Sequence, residues 1–336
     1  MKKTMISLAA LMMAASLCGC NGGSSSQNSE TPAATTAVTD VTTTDETAAV
    51  TTVATTTAEK SDEAPTINVE ELGLTEENFP KLDGSTSAIP LDAGVYASLF
   101  GKTQEEVEAL TVHTTTHQSF ERLVKGEVDG IYTVPISAEQ QAAADAANVK
   151  LESIPVAAEG FVFVVNAKNP VESLTQQQIR DIYSGKITNW KEVGGNDAEI
   201  LPYQRNTDSG SQNYMTEFMR GYNLMEPKKE YIQYGMAGIL DSIVVNDNGV
   251  NAIGYSVYSY AAEMYAQQGD IKFIAIDGVK PSLASMEAGE YPLLSCSYFM
   301  FNADAAEDAP VRKLATYLKS KQGQQAVVDA GYVAIK

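Results

Sequence analysis

Three short polar stretches carry most of the chemistry this sequence offers. The first, Asp83-Gly84-Ser85-Thr86-Ser87, runs through Ala88-Ile89-Pro90 into an apolar helical stretch that reaches Phe100. Glycine lets a backbone approach a ligand closely, and hydroxyls beside successive N–H groups can donate to an oxyanion. Taken alone, the stretch reads first as a helix N-cap cluster, since Ser and Thr are preferred helix starters. The second, Thr114-Thr115-Thr116-His117, leads into a helical pattern over 118–125. Thr116 offers a hydroxyl and backbone donors at that helix start, and His117 adds a switchable charge where the helix dipole lowers its pKa. His113 and His117 are the only histidines, so a metal site built on His is not expected, and both read first as surface residues. The third is Arg205-Asn206-Thr207-Asp208-Ser209-Gly210-Ser211, ahead of a helical run. It joins a guanidinium able to fork onto an oxyanion with a small-residue nest, and it is the most specific of the three. It is not a Walker loop, and neither a Gly-x-Ser-x-Gly elbow nor plentiful histidine supports a serine hydrolase. These residues are suited to holding an anion rather than to attacking a substrate.

The surrounding elements explain how such loops would be positioned. Strand-like apolar runs at 128–134, 161–165, 253–258, 271–276 and 298–301 alternate with helical patterns at 118–125, 138–147, 176–183, 211–222 and 311–330. This alternation predicts an α/β fold with largely parallel sheets, and the length suggests two lobes. In such folds ligands gather at strand carboxyl ends and helix N-termini, which is where the three stretches fall. Trp190 reads as packing beneath a turn, Cys296 as a small buried residue, and the Tyr255, Tyr258 and Tyr260 cluster as core and rim.

The 336 residues hold 23 Lys+Arg against 43 Asp+Glu, a formal net charge of −20. Nucleic acid is therefore not expected as a partner, because binding the phosphate backbone needs a basic footprint. Attachment to anionic lipid through a polybasic patch is excluded on the same ground. A small anion is not excluded, because a cleft's field is set by nearby dipoles and charges rather than by distant, screened carboxylates. Lys2 and Lys3 precede an apolar stretch over 5–17, shorter than the roughly 20 residues a membrane span needs. Residues 1–19 thus read as a signal peptide. Leu17-Cys18-Gly19-Cys20 resembles a bacterial lipobox, which would make Cys20 the first mature residue, lipidated with a diacylglycerol thioether; the alternative is an ordinary secretory signal. Cleavage would remove Cys18 and acylation would occupy Cys20, leaving Cys296 as the one thiol and no intramolecular disulfide. Residues 20–65 are rich in Thr, Ser and Ala and read as a disordered linker lifting a folded domain off the membrane.

Several motifs together resemble those of the phosphate-binding lipoproteins that feed ABC phosphate importers (PstS-like proteins). Asp83-Gly84-Ser85-Thr86-Ser87 is similar to their opening loop. Leu174-Thr175-Gln176-Gln177-Gln178-Ile179 and Ile182-Tyr183-Ser184-Gly185-Lys186-Ile187-Thr188-Asn189-Trp190 are similar to their second-lobe signature. Arg205 with Ser209-Gly210-Ser211 is similar to their anion loop, and Ala252-Ile253-Gly254-Tyr255 and Gly289-Glu290-Tyr291-Pro292-Leu293 also match.

The resemblance implies a two-lobed type II periplasmic-binding-protein fold, each lobe a mixed sheet flanked by helices with a hinge between. Lobe one would comprise 66–164 and 290–336, and lobe two 165–289, with crossovers near 166–173 and 288–293. It implies a monomeric, non-enzymatic solute-binding protein on the extracytoplasmic face of the cell membrane. That protein would take inorganic phosphate to an ABC permease and ATPase, with no cofactor and no metal. Ser85, Thr86, Ser87, Thr116, Arg205, Ser209, Gly210 and Ser211 would bind the anion. Another oxyanion, a phosphorylated small molecule, or a surface sensor of the same fold stay open as alternatives. Two departures from the family pattern bear on this choice. Val134-Pro135 stands where the family's phosphate binders place an acid that accepts the ligand's proton. Thr207 stands where an acidic partner follows the arginine. Asp83, Asp129 and Asp208 are the candidates to replace the missing carboxylate.

Overall fold

Short apolar runs bounded by Gly, Pro and Asp form the strands, and amphipathic runs opened by Ser or Thr form most of the helices. The computed structural model describes residues 64–207, 209–235, 237–245, 249–264 and 270–335. The signal peptide, Cys20 and the linker through residue 63 therefore lie outside the described residues, as do Asp208 and Met236. The chain begins with β1 (Leu82–Gly84), α1 (Ile89–Phe100), α2 (Gln104–Glu108), α3 (Thr116–Val124), β2 (Gly130–Thr133), α4 (Ala138–Ala146) and β3 (Leu151–Asn166). It continues through β4 (Ser173–Leu174), α5 (Gln176–Tyr183), β5 (Leu201–Pro202), β6 (Gln204–Arg205) and α6 (Gly210–Phe218). Next come β7 (Ile232–Gln233), α7 (Gly238–Val245), β8 (Ala252–Val257) and α8 (Tyr258–Met264). The last elements are β9 (Ile271–Phe273), β10 (Ala275–Ile276), α9 (Leu283–Glu287), β11 (Leu294–Asn302), α10 (Pro310–Leu318) and α11 (Lys321–Asp329).

Helix starts follow from local chemistry. Thr175 accepts from Gln178 N at 3.1 Å while Gln178 Oε1 accepts from Thr175 N at 2.8 Å, a reciprocal cap that opens α5. Each such cap contributes on the order of 1 kcal/mol. The single helix expected over 311–330 is two helices, α10 and α11. Ser320 starts the second by accepting from Gly323 N at 3.1 Å. A side chain at Gly323 would collide with the Tyr317 carbonyl, so the glycine lets the two helices meet at this corner.

The main sheet runs β1-β2-β11-β3-β8-β5, with β9 also paired to β3. Pairs β1–β2 and β5–β8 are parallel, whereas β2–β11, β11–β3, β3–β8 and β3–β9 are antiparallel. The expectation of largely parallel sheets is thus corrected. The cause is β3, a 16-residue strand along which the chain returns three times, as β8, β9 and β11. β11 pairs β3 from Leu151 to Gly160, and β8 pairs it from Phe161 to Val165. Partners therefore change between Gly160 and Phe161, ahead of the 166–173 stretch the sequence suggests. Leu293 meets the same level, its carbonyl accepting from Phe161 N at 2.9 Å.

Apolar packing divides along the same line. One core gathers Leu91, Tyr132, Phe299, Phe301 and Leu314 against the first half of β3. The other gathers Phe163, Tyr183, Trp190, Ile253 and Tyr255 against its second half. Trp190 is buried and donates its indole N–H to the Asn251 carbonyl at 2.9 Å, a packing role. Two cores on one shared strand make a two-lobed α/β fold.

Candidate functional site

The loop after β1 is held from both ends. Ser85 N donates to the Tyr132 carbonyl at 2.8 Å, Ser85 Oγ and Ser87 Oγ lie 2.8 Å apart, and the Tyr332 hydroxyl donates to Ser87 O at 2.9 Å. At the start of α3, Thr115 is the cap, accepting from Gln118 N at 3.2 Å, which leaves the buried Thr116 in the first helical position. The first N–H groups of a helix have no intrahelical partner, so the start of α3 presents donors.

Lobe two supplies the facing wall. Parallel pairing of β6 with β7 sets Arg205 opposite Gln233. Its Nε donates to Gln233 O at 3.0 Å, Nη2 to Tyr234 O at 3.3 Å and Nη1 to Ser211 Oγ at 3.4 Å. The Arg205 backbone N donates to the Tyr255 hydroxyl at 2.9 Å, and that hydroxyl donates to Gln212 Oε1. Burial lowers the pKa of the Arg205 guanidinium and raises that of the Tyr255 phenol. An arginine so placed still keeps its charge. Ser209 caps α6 by accepting from Gln212 N at 3.1 Å.

The two walls touch. A Cβ on Gly210 would lie 2.8 Å from both Thr116 Oγ1 and Val134 Cγ2, so the missing side chain permits this approach. Asn213 Nδ2 also reaches across, to Pro135 O and Gln140 Oε1, both at 3.1 Å. Between the walls lies a cavity of about 750 Å³. Ser85, Thr86, Ser87, Thr116, Arg205, Ser209, Gly210 and Ser211 all line it, so the structure brings the eight sequence-selected residues to one place. His117, Gln118, Asn206, Tyr234 and Tyr260 line it as well. Of these, Tyr234 had no sequence signal: it is 76% exposed and sits at the rim because Arg205 holds its carbonyl.

Among the described residues no Asp or Glu lines the cavity. Asp83 is fully buried and committed elsewhere, accepting from Gly84 N and Thr114 N at 2.7 Å each and from the Thr114 hydroxyl at 2.9 Å. It also pairs with Arg122. Asp129 accepts from Lys81 N at 2.7 Å, outside the cavity. Both are thereby removed as replacements for the missing carboxylate, and Asp208 lies outside the described residues. Val134, buried and apolar, stands in the cavity wall.

Two further expectations are corrected. His113 is buried, not a surface residue: Nδ1 faces Ser85 O at 2.8 Å and Nε2 faces Asp92 Oδ2 at 3.0 Å. Cys296 is only partly covered, and burial raises its thiol pKa. Its carbonyl accepts from the Tyr214 hydroxyl at 3.0 Å, another tie between the lobes.

A family model described as a PBP superfamily domain matches residues 26–322. The chain belongs to that superfamily. Among curated proteins, the phosphate-binding protein PstS of Bacillus subtilis is 30% identical over 181 residues, 54% of this chain and 56% of that protein. The chain thus spans about half the length of the Bacillus relative. The phosphate-binding protein PstS of Staphylococcus saprophyticus is 25% identical over 260 residues, 76% of this chain and 80% of that protein. The crystal structure of an ABC-type phosphate transport receptor from Vibrio cholerae matches with a TM-score of 0.54 at 23% identity. That match covers 76% of this chain and 99% of the solved one, which places the two-lobed fold in common.

Proposed function

We propose that this chain is an extracytoplasmic solute-binding protein that captures inorganic phosphate between its lobes and delivers it to an ABC importer. The observation that carries this reading is the convergence of two lobes' hydroxyls, helix-start N–H groups and a single directed guanidinium on one cavity. Neutral donors in a desolvated cleft solvate an anion at little cost in charge repulsion, and Arg205 supplies a formal countercharge. The relatives named as phosphate-binding proteins support the same choice. The site acts as a binder and not as a catalyst, because its residues donate without a positioned nucleophile and base. Lobe one is 66–164 with 290–336 and lobe two 165–289, and ligand binding closes the lobes by a hinge motion. The mature protein works as a monomer on the membrane's outer face, anchored through Cys20. Mass spectrometry of the membrane fraction should find a diacylglyceryl adduct there, and an unmodified Cys20 removes the anchor.

The absence of a carboxylate among the described lining residues sets the expected selectivity. A carboxylate accepts a proton from phosphate and repels an anion that has none. Without that like charge, worth several kcal/mol, sulfate should compete within roughly two orders of magnitude. Calorimetric titration with phosphate and then sulfate tests both statements. No heat with phosphate removes the phosphate reading, and complete exclusion of sulfate means that an acceptor charge is present after all. The cavity favours a second reading, a phosphorylated small molecule: about 750 Å³ is far more than an ion of a few waters' volume, at ~30 Å³ each, needs. A phosphomonoester binding more tightly than phosphate in the same titration would select it.

A further inference from the structure

His113, in the loop before α3, sits one layer behind the cavity, its ring between Ser85 after β1 and Asp92 on α1. Gly84 makes room for it, since a Cβ there would lie 3.0 Å from both Nδ1 and Cε1 of the ring. A carbonyl oxygen can only accept, so the 2.8 Å contact to Ser85 O requires a proton on Nδ1. An ionised carboxylate can also only accept, so the 3.0 Å contact to Asp92 Oδ2 requires a proton on Nε2. With Asp92 ionised, both ring nitrogens donate, which defines an imidazolium. The Ser85 carbonyl belongs to the same peptide unit as the Thr86 N–H, and Thr86 lines the cavity. Hydrogen bonds in series polarise one another, so a cation on the oxygen of that peptide strengthens its N–H as a donor.

Resting on the phosphate-binding reading, we propose that His113 is a positioning residue for the anion. As an imidazolium bridging Asp92 and the Ser85 carbonyl, it fixes the first loop and polarises the Ser85–Thr86 peptide toward the ligand. Proton and anion then bind cooperatively, and by linkage each strengthens the other equally.

The groups facing the ring set the direction of its titration. Burial would lower its pKa. The hydrogen bond and charge of Asp92 on α1, the Ser85 carbonyl and the charge of Asp83 on β1 together raise it above the ordinary histidine value. Arg122 on α3 is paired with Asp83 and partly offsets that charge. On β2, the buried Tyr132 hydroxyl has no hydrogen-bond partner among the described residues, and the charge of Asp92 adds to burial in raising its pKa. The imidazolium is therefore present below the ordinary histidine value of 6.5 and is lost as pH rises through the raised folded value. Anion affinity should fall over that same interval.

The chain has only two histidines, so selective ¹³C and ¹⁵N labelling of the full chain gives a two-residue spectrum in which His113 is read directly. Below its pKa, His113 should show both ring N–H signals, and saturating phosphate should raise that pKa. Asp92→Asn, which keeps the ring and removes its carboxylate, should lower it. Between pH 6 and pH 9, phosphate affinity should fall about fivefold or more further in wild type than in His113→Gln, the lower end of ordinary coupling. Ionisation of phosphate itself enters both proteins alike and cancels in that ratio. Phosphate binding with an unmoved His113 pKa, or a neutral single tautomer at pH 6, overturns this proposal alone. Absence of phosphate heat overturns the functional reading and this proposal with it.

Discussion

On the wall supplied by lobe two, Arg205 brings formal charge directly to the cavity. Its direction is set by the Gln233 and Tyr234 carbonyls and by Ser211. On the wall supplied by lobe one, Ser85, Ser87 and Thr116 offer neutral donors, and the formal charge lies one layer back, in His113. The two walls therefore differ in how far charge stands from the ligand. Lobe two supplies attraction that an approaching anion meets at once. Lobe one supplies short-range hydrogen bonds that form only on contact, so its share of the binding energy is realised as the walls come together.

That contrast can be broken one wall at a time. Arg205→Ala should have the largest effect, weakening phosphate binding by about 2–5 kcal/mol in a calorimetric titration. The guanidinium also satisfies two carbonyls, so a circular-dichroism melt should accompany the titration to confirm that the variant folds. An unchanged affinity would move the charge of the site elsewhere. Gly210→Ala tests the contact itself. Its Cβ would press on Thr116 Oγ1 and Val134 Cγ2, and overpacking of this kind costs about 1–3 kcal/mol. The loss should appear in affinity, with the melting temperature of the anion-free protein nearly unchanged. If that temperature falls as far as that of the complex, the walls are already in contact without ligand, and closure contributes nothing. Thr116→Val should have the smallest effect, about 0.5–1.5 kcal/mol of affinity for one neutral donor. A loss as large as that from Arg205→Ala would erase the proposed difference between the walls.

The parts of this site legible in the sequence are those whose signal is local. A hydroxyl at a helix start has the same signature whether it caps the helix or faces a ligand, so Ser85, Thr116 and Ser209 could be selected before any fold was known. Arg205 stood out because its small-residue neighbours followed within a few positions. The brace behind the first loop was not legible, because its partners are far apart in the chain. His113 meets Ser85 and Asp92 at separations of 28 and 21 residues, and Asp83 meets Thr114 and Arg122 at 31 and 39. From sequence, Asp83 looked like a spare ligand; in the fold it is the pin that holds Thr114 and Arg122. The two-lobed class was readable from alternating strands and helices. The exchange of partners along β3 was not, since a continuous apolar strand carries no mark of which neighbour pairs where. The break between α10 and α11 hid for a similar reason, with Ser320 and Gly323 looking unremarkable inside a long amphipathic run.

The order of strands in the main sheet has a consequence for how the protein is made. β11 lies between β2 and β3, yet it is among the last strands to leave the ribosome. Until Leu294–Asn302 emerges, lobe one has an open slot at its centre, with the edges of β2 and β3 unpaired. Leu151 must then find Asn302 across the whole of lobe two. Lobe two, by contrast, holds β8 and β9 against β3 from a continuous stretch of chain and can form first. A chain released early, or cut before β11, keeps a structured second lobe and loses the first-lobe wall.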